Sequence, residues 1–351
     1  MINLYTYGWN DKLNQLKLES AYKDLLHGRV SIVHRTCYEV ISENGIFQCE
    51  LTGNMMYGKT EFELPCTGDW VIFQPFDESK GIITYLFPRK HTLYRKRNNS
   101  ISEKQVLASY VDKAFIVQSL DQNFNVRRIE RFMVQIMEES IKPVLILNKA
   151  DLNSDIKKIE ESIKHIIHQM PVFITSIHHA ESISQLREFI SEGETVVFVG
   201  SSGVGKSTLI NMLCEKPELL TSDISKSTGK GRHTSTRREM TLMNNSGVLI
   251  DTPGVREFGL AIDNTEILDE ILDISDYTKL CRFTDCTHTN EPGCAVIEAM
   301  DNGSLDRKVY ESYLKLRRET IHFSTSEHER RKKEKSLSRL IEEVKWLKDN
   351  Y

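Results

Sequence analysis

Apolar and polar residues alternate in short runs between residues 28 and 86. Five runs, rich in β-branched and aromatic residues, are separated by Gly, Asn and Pro, a pattern that predicts short strands. The runs cover residues 28–33, 38–41, 46–51, 69–73 and 82–86. Five strands at this spacing favour a small closed β-barrel such as an OB-fold over a sandwich, for which this stretch is short.

From about residue 111 the pattern changes to apolar strands that alternate with amphipathic helices. In residues 126–140, for example, Ile129, Phe132, Met133 and Ile136 share one face of a helix. Strands are predicted at 114–117, 144–147, 172–175, 195–199, 239–243 and 248–250, and helices at 126–140, 155–169, 181–191 and from 206. This alternation predicts an α/β domain with a mostly parallel sheet. The last two strands are expected to close the sheet, and ligands are expected to bind at the C-terminal ends of the strands.

The last part of the chain is polar and helical, and it ends in a charged helix at about 327–348. We therefore predict a multidomain chain with three domains. Residues 1–97 form the barrel with an N-terminal extension, residues 98–265 the α/β domain, and residues 266–351 a helical domain.

A glycine-rich loop follows the strand at 195–199 and opens the next helix. Its pattern, G-x-x-x-x-G-K-S, lets backbone N–H groups and a helix N-terminus bind phosphates. Lys206 is expected to reach the β- and γ-phosphates, and Ser207 to bind Mg²⁺. The predicted nucleotide-binding residues here are Gly200, Ser201, Ser202, Gly203, Val204, Gly205, Lys206, Ser207 and Thr208.

A second phosphate-side motif, Asp251-Thr252-Pro253-Gly254, follows the apolar strand at 248–250. Asp251 is placed to hold Mg²⁺ through water, and the Gly254 amide to contact the γ-phosphate. Val255 stands where many GTPases carry a Gln that orients the attacking water, so slow intrinsic hydrolysis is expected.

Residues 221–238, between these two motifs, are rich in Ser, Thr, Lys and Gly and predict a mobile loop that γ-phosphate and Mg²⁺ would order. One hydroxyl of Thr234, Ser235 or Thr236 should bind Mg²⁺, and Thr234 is the preferred candidate. His233 is the candidate catalytic residue that replaces the missing Gln.

The sequence Asn148-Lys149-Ala150-Asp151 follows the strand at 144–147 and is typical of a guanine-specificity loop. Its Asp carboxylate can accept hydrogen bonds from N1–H and the N2 amine of guanine, which adenine does not offer in that arrangement. Ser176 and Ile177, after the next strand, are placed to contact the base oxygen. The guanine loop precedes the phosphate loop, the reverse of ordinary GTPases, so the motifs predict a circularly permuted GTPase.

Three cysteines and a histidine lie close together in the helical domain, with the spacing C-x4-C-x-H-x5-C. Three thiolates and one imidazole suit a closed tetrahedral zinc site. We predict one structural Zn²⁺ ion held by Cys281, Cys286, His288 and Cys294.

The composition is ordinary for a globular protein, with 39% hydrophobic and 27% charged residues and a formal net charge of -4. Any nucleic-acid signal must therefore be local. The candidate RNA-binding residues form a basic stretch with an embedded tyrosine: Arg89, Lys90, Tyr94, Arg95, Lys96 and Arg97. Since the sequence contains neither a signal segment nor an apolar run of about 18 residues, we expect a cytoplasmic protein without membrane contact.

Taken together, the motifs resemble the ribosome small subunit-dependent GTPase A family (RsgA/YjeQ) of circularly permuted bacterial GTPases, over nearly the whole chain. The resemblance is carried by the permuted motif order, the Cys/His cluster and four sequences, Gly68-Asp69-Trp70-Val71, Arg127-Arg128-Ile129-Glu130-Arg131, Gly231-Arg232-His233-Thr234 and Asp251-Thr252-Pro253-Gly254-Val255-Arg256-Glu257-Phe258. Three short stretches depart from the family's usual pattern, as would be expected of a divergent second copy: Arg97-Asn98-Asn99, His178-His179-Ala180-Glu181 and Ser235.

The resemblance implies an N-terminal OB-fold, a permuted GTPase domain and a C-terminal zinc domain. It further implies a protein that binds GTP and GDP and acts late in maturation of the small (30S) ribosomal subunit. The subunit and its rRNA would stimulate hydrolysis of GTP, for which the family's loop histidine corresponds to His233. We expect a monomer.

Two alternatives from other classes stay open at this point. A GTP-regulated scaffold would bind a protein partner and show no RNA-dependent hydrolysis. A small-molecule kinase would use the phosphate loop to phosphorylate an acceptor, although the guanine loop argues against it.

Overall fold

The computed structural model describes residues 1–60, 62–96, 104–152, 155–167, 169–214, 238–244, 247–252 and 266–324. The chain divides into two compact units. One contains Met1–Tyr94 and Gln105–Phe258, and the other contains Arg95–Lys104 and Gly259–Tyr351. The domain boundaries predicted after residues 97 and 265 stay predictions. No helix in the described ranges is long and apolar enough to span a bilayer.

The first unit begins with a closed five-stranded barrel, as predicted. Its strands are β1 (Leu26–Val33), β2 (Tyr38–Ser42), β3 (Gly45–Leu51), β4 (Trp70–Asp77) and β5 (Lys80–Leu86). They follow the order β1-β2-β3-β5-β4, and β4 pairs with β1 again to close the barrel. Alternate residues of the strands, among them Val30, Val40, Phe47, Phe73 and Ile83, fill the interior.

An N-terminal segment that the alternation of residues did not predict covers one part of this barrel. It contains a 3₁₀ helix, Leu4–Tyr7, and helix α1 (Asp11–Glu19); a short helix, α2 (Gly53–Met56), follows β3. Trp9 packs edge-on against Trp70, with ring centroids 4.9 Å apart, which anchors the segment to the barrel.

Two short strands, β6 (Leu93–Lys96) and β7 (Lys104–Ala108), come after the barrel and form a separate two-stranded sheet. The α/β part of the first unit follows. The remaining elements are β8 (Lys113–Ser119), α3 (Val126–Glu138), β9 (Lys142–Asn148), a 3₁₀ helix (Ala150–Leu152), α4 (Ile156–Ser162), α5 (Lys164–Ile167), β10 (Val172–Ile174), α6 (Ala180–Glu188), β11 (Thr195–Val199), α7 (Lys206–Cys214), β12 (Glu239–Leu242) and β13 (Val248–Asp251). The single helix expected at 155–169 is instead two, because the backbone of buried Ile163 (φ -111°, ψ 9°) departs from helical geometry.

These strands have the order β10-β9-β8-β11-β13-β12. All are parallel except β12, which pairs antiparallel with β13. One face of the sheet packs on α6 and α7 through a cluster that includes Phe115, Ile146, Phe198, Leu209 and Leu249. The predicted parallel sheet is thereby confirmed.

The sheet continues into the barrel, whereas the sequence predicted that the strands at 239–243 and 248–250 close it. Ile32 of β1 pairs with Glu239 of β12, so the barrel strands and the α/β strands form one continuous hydrogen-bonded sheet of eleven strands. The barrel and the α/β sheet are consequently parts of one compact unit.

In the second unit, four helices follow one another in the described residues. They are α8 (Glu266–Ile271), α9 (Ser275–Thr278), α10 (Ala295–Asp301) and α11 (Arg307–Ser324). Leu268, Ile271, Tyr313 and Leu316 are buried among them. The helix predicted at 327–348 lies outside the described residues.

Candidate functional site

Five parallel strands of the first unit bring four polar residues and a glycine to one edge of the sheet. Asp121 follows β8, Asn148 ends β9, Thr175 follows β10, Gly200 follows β11 and Asp251 ends β13. After β8 the chain adds β9 and β10 on one side of β8, and it then places β11 on the other side of β8. This reversal opens a crevice at the strand ends between β8 and β11, the usual ligand position in such sheets.

The phosphate loop, residues 200–207, wraps back on itself in this crevice. Gly200, Gly203 and Gly205 have φ angles of 146°, 83° and 97°, which other residues rarely adopt. The Lys206 ammonium donates to the carbonyl oxygens of Gly200 and Ser201, both at 2.7 Å. The loop thus has the backbone conformation that directs N–H groups toward phosphate.

The guanine loop is attached directly to the phosphate loop through Asn148. The Asn148 amide donates to the Val204 carbonyl at 2.9 Å, and its oxygen accepts from the Thr175 hydroxyl at 3.0 Å. Asn148 and Thr175 are buried. Two motifs that are more than fifty residues apart in sequence therefore have a fixed relative position.

Asp151 projects from the same loop and is exposed. The Ser176 hydroxyl donates to its carboxylate at 2.5 Å, and this hydrogen bond lowers the pKa of Asp151. The carboxylate is consequently ionised at neutral pH and can accept two N–H groups of a guanine base. Ile177 is exposed beside Ser176, which is buried.

Asp121 belongs to this arrangement, although sequence analysis missed it. Its carboxylate accepts from the Ser119 hydroxyl and the Asn123 amide, both at 2.8 Å, and lies 3.2 Å from the Lys149 ammonium. Burial raises the pKa of Asp121, but these bonds outweigh that effect and lower it overall. An Asp directly after a buried strand, at the edge shared with Asn148, was the signal that could have revealed it.

Asp251 lies at the opposite side of the phosphate loop and is partly buried. Burial raises the pKa of its carboxyl group, Lys206 opposes that shift and Glu239 adds to it. Glu239 is paired with Asp251 in the register of β12 and β13. The other residues predicted for the γ-phosphate side, His233, Thr234, Ser235, Thr236 and Gly254, lie outside the described residues.

In the second unit, Cys281, Cys286, His288 and Cys294 come together, with one ligand atom from each within 4.8 Å of the others. The His288 Nδ1 atom lies 3.5 Å from the Cys281 Sγ atom and 3.4 Å from the Cys294 Sγ atom, and those sulfurs are 3.9 Å apart. Tetrahedral zinc with bonds of about 2.0–2.3 Å sets its ligand atoms roughly 3.5–3.8 Å apart. The cluster could therefore hold a metal ion.

Backbone contacts and strain fix the shape of this Cys/His cluster. The Tyr310 hydroxyl donates to the His288 carbonyl at 2.7 Å, and Arg317 donates to the Cys286 carbonyl at 3.0 Å. His288 itself has a φ of 58°, unusual for a non-glycine residue. Burial lowers the pKa of His288, and Arg317 lowers it further, so the imidazole is neutral, as a metal ligand must be.

Two family models match this chain. The model described as RsgA GTPase matches residues 86–261, and the model described as 50S ribosome-binding GTPase matches residues 195–345. A relative from Bacteroides thetaiotaomicron, described as "Small ribosomal subunit biogenesis GTPase RsgA 1", is 67% identical over 99% of this chain and 98% of its own length. The chain belongs to the RsgA GTPase family. It is accordingly a GTP hydrolase, as the permuted motifs predicted.

Solved structures agree with this RsgA assignment. The crystal structure of YjeQ from Thermotoga maritima has a TM-score of 0.64 and 26% identity, and the match covers 84% of this chain and 98% of that one. YloQ, titled a circularly permuted GTPase, has a TM-score of 0.62 over 87% of this chain and 98% of its own. At 24% identity, that second likeness concerns the fold alone. The predicted fold class is confirmed.

The basic stretch of this RsgA-family chain is only partly available for RNA. The Arg89 guanidinium donates to Asp69, at 2.7 Å, and to the carbonyls of Phe62 and Leu64, so its donors are already engaged. Tyr94 is 3% exposed, which leaves no ring face for stacking on a base. Lys90 and Arg95 are partly exposed, and the Lys96 side chain and Arg97 lie outside the described residues.

Lys90 has a basic neighbour that the sequence did not reveal. Burial lowers the pKa of Lys90, and the positive charge of Lys12 of α1 lowers it further. These two cations, one on the N-terminal segment and one in the stretch after β5, form an arrangement that a phosphate group would stabilise.

Proposed function

We propose that this chain is a GTPase that binds the small ribosomal subunit and assists its late maturation. Hydrolysis of GTP is stimulated by the subunit and coupled to release from it. The observation that carries the nucleotide part is the hydrogen bond from Asn148 to Val204, which joins a guanine loop to a phosphate loop. The ribosomal part is supported by the 67% identity to a protein named for small-subunit biogenesis.

Guanine nucleotide would occupy the crevice between β8 and β11. Asp151 accepts the N1–H and N2 amine of the base, and the backbone after Ser176 faces the base oxygen. The N–H groups of residues 200–208 surround the phosphates at the N-terminus of α7. Asn148 holds the guanine loop and the phosphate loop in place and has no direct part in the reaction.

Mg²⁺ accompanies GTP in this family, and the residues present fit it. Ser207 is exposed at the start of α7, and Asp251 ends the neighbouring strand β13, so a hydroxyl and a carboxylate oxygen are available, the ligand atoms that Mg²⁺ prefers. Thr234 would add a hydroxyl in the GTP state. When bound, the ion neutralises charge that develops on the phosphate oxygens.

The attacking water requires a residue to orient it, and Val255 has no polar group to do so. We assign that role to His233, which the small subunit would bring into position. Slow hydrolysis by the isolated protein and fast hydrolysis on the subunit follow from this dependence.

One structural Zn²⁺ would bind to Cys281, Cys286, His288 and Cys294. The distances of 3.4–3.9 Å among the ligand atoms of Cys281, His288 and Cys294, with the Cys286 ligand atom within 4.8 Å of them, support this assignment. Four protein ligands complete a tetrahedron, which leaves no position for a substrate, so the ion holds the fold of the second unit together.

Contact with rRNA is proposed at the ammonium groups of Lys12 and Lys90 rather than at Arg89 and Tyr94, whose groups are engaged or buried. Arg95, Lys96 and Arg97 extend the basic sequence and are retained as candidates. Such contacts to phosphates position a protein on RNA but carry no sequence information.

The circular permutation offers a covalent route from nucleotide to subunit release. The chain passes from Asp251 through residues 253–265 to the helices of the second unit. A change of the bound nucleotide would act at Asp251, which is close in sequence to the metal-binding unit. We propose that hydrolysis thereby weakens the binding of that unit to the small ribosomal subunit.

The proposal is tested by measuring GTP turnover of the purified protein alone, with small ribosomal subunits and with large ones. Large subunits are a necessary arm, because one matching family model is described by binding to the 50S subunit. We expect strong stimulation by small subunits only. Stimulation by large subunits, or equal slow turnover in all three samples, would refute the proposed partner.

The same assay tests the role of His233. His233→Ala should abolish the stimulated turnover and leave GTP binding unchanged, since the side chain acts on water and not on nucleotide. Glu188→Gln, an exposed residue at the end of α6, serves as the matched control and should keep full stimulation. Preserved stimulation in His233→Ala would exclude that role.

A further inference from the structure

Glu239 is a carboxylate at the phosphate side of the crevice that none of the motifs includes. It is the first residue of β12 and is paired with Asp251, the last residue of β13, in an antiparallel ladder. Directly opposed residues in such a pair have Cβ atoms about 4.5–5.5 Å apart and project from the same face. Two acidic side chains therefore lie next to each other at the C-terminal edge of the sheet.

That shared face is the one that carries the phosphate-loop helix. Leu249, two residues before Asp251, packs in the cluster with Leu209 and Leu213 of α7. Since alternate residues of a strand project to the same side, Asp251 and Glu239 project toward the side on which α7 begins with Lys206 and Ser207. Both carboxylates are thereby placed on the magnesium side of the proposed nucleotide.

The backbone of Glu239 is fixed by its neighbours, whereas its side chain is accessible to an ion. Its backbone lies between two strands, paired with Ile32 of β1 on one side and Asp251 on the other. The preceding residue, Arg238, donates to the Val106 carbonyl at 2.8 Å. The Glu239 side chain is exposed, and among the described residues no salt bridge engages it.

Like charges directly opposed on adjacent strands destabilise a sheet unless a cation lies between or beside them. We propose that Glu239 is a positioning residue for Mg²⁺, whose carboxylate, beside Asp251, attracts the hydrated ion and increases its affinity for the nucleotide complex. Glu239 acts through the water shell and the field of the ion, not as a direct ligand. The inference rests on the magnesium role proposed for Asp251 and is independent of any ribosomal partner.

The test is a Mg²⁺ titration of a fluorescent GDP analogue bound to the full-length protein, for wild type and Glu239→Gln. We expect the variant to need about three- to eight-fold more Mg²⁺ for half-saturation, because one negative charge near a divalent ion is removed and the interaction is screened by water and salt. In EDTA the same variant should bind the analogue as tightly as wild type or more tightly, because a negative charge near the phosphates is gone. A merely structural role would weaken binding in both conditions.

Glu188→Gln removes an exposed carboxylate at the end of α6, at the opposite edge of the sheet, and should leave the Mg²⁺ midpoint unchanged. Adding KCl should reduce the difference between Glu239→Gln and wild type, because screening weakens the interaction. An unchanged Mg²⁺ midpoint in Glu239→Gln, or an equal loss of affinity with and without Mg²⁺, would overturn the proposal. Absent binding by wild type would instead refute the nucleotide site itself.

Discussion

Asn148 makes one site out of two motifs, since its side chain bonds to the Val204 carbonyl and to the Thr175 hydroxyl. The close approach has a steric requirement at Gly205. A Cβ atom added there would lie 2.3 Å from the Asn148 amide nitrogen, far inside van der Waals contact. The glycine is needed for this approach as well as for its φ of 97°.

A pair of glycine substitutions separates these two requirements. Gly205→Ala should weaken GDP binding at least about a hundred-fold, because Asn148 must move away from the phosphate loop. Gly203→Ala also introduces strain at a φ of 83°, but its Cβ would meet nothing within 4 Å. We expect that variant to bind GDP within roughly ten-fold of wild type, since only backbone strain of about 1 kcal/mol is added. Titration with a fluorescent GDP analogue measures both, and equal losses would contradict the role of Asn148.

At the scale of elements, strand β1 belongs to two structures, the barrel and the nucleotide-binding sheet. Arg29 of β1 is 1% exposed, and its guanidinium donates to the carbonyl of Gly68 at 2.9 Å and to the hydroxyl of Thr195 at 2.9 Å. It also donates to the carbonyls of Tyr7 and Tyr110. One buried side chain thus links β1, the N-terminal segment and the start of β11.

Replacing Arg29 by Met should lower the free energy of unfolding by about 3 kcal/mol or more. The new side chain has a similar length but leaves several buried acceptors without a donor. Arg35→Met, an exposed arginine in the barrel, is the matched control and should change stability by less than about 0.5 kcal/mol. Urea denaturation monitored by tryptophan fluorescence compares the two. Equal midpoints would show that Arg29 does not join these elements.

At the scale of the whole molecule, the two units depend on different sources of stability. The first has two extensive apolar clusters, one inside the barrel and one between the α/β sheet and helices α6 and α7. The second has short helices, α9 and α10, around the Cys/His cluster. Small units with limited cores are commonly stabilised by a metal ion.

We therefore expect one zinc ion per chain, measured by elemental analysis of the purified protein. Cys294→Ser should lose the ion and the helicity of the second unit, because three ligands do not complete a closed tetrahedral site. Cys37→Ser changes a partly exposed cysteine of the barrel and should keep both. Stoichiometric zinc in Cys294→Ser would contradict the assigned ligand set.

The sequence determined much of this protein by local pattern. Runs of β-branched and aromatic residues separated by Gly, Asn and Pro predicted the barrel strands. The motifs after apolar strands predicted the nucleotide site, because parallel strands must end at one edge. The spacing of Cys281, Cys286, His288 and Cys294 predicted the cluster, since these ligands are close in sequence. The structure differs where local pattern conflicts with packing, as at Ile163, which divides an expected helix in two.

Only the tertiary structure decided which residues from distant segments meet. The pairing of Ile32 with Glu239, the contact of Asp121 with Lys149 and the burial of Tyr94 are not encoded in any local spacing. Each depends on long-range packing, which places side chains side by side regardless of their separation in sequence. For the same reason, the sequence predicted Asp251 as a magnesium residue, while the structure alone showed Glu239 beside it.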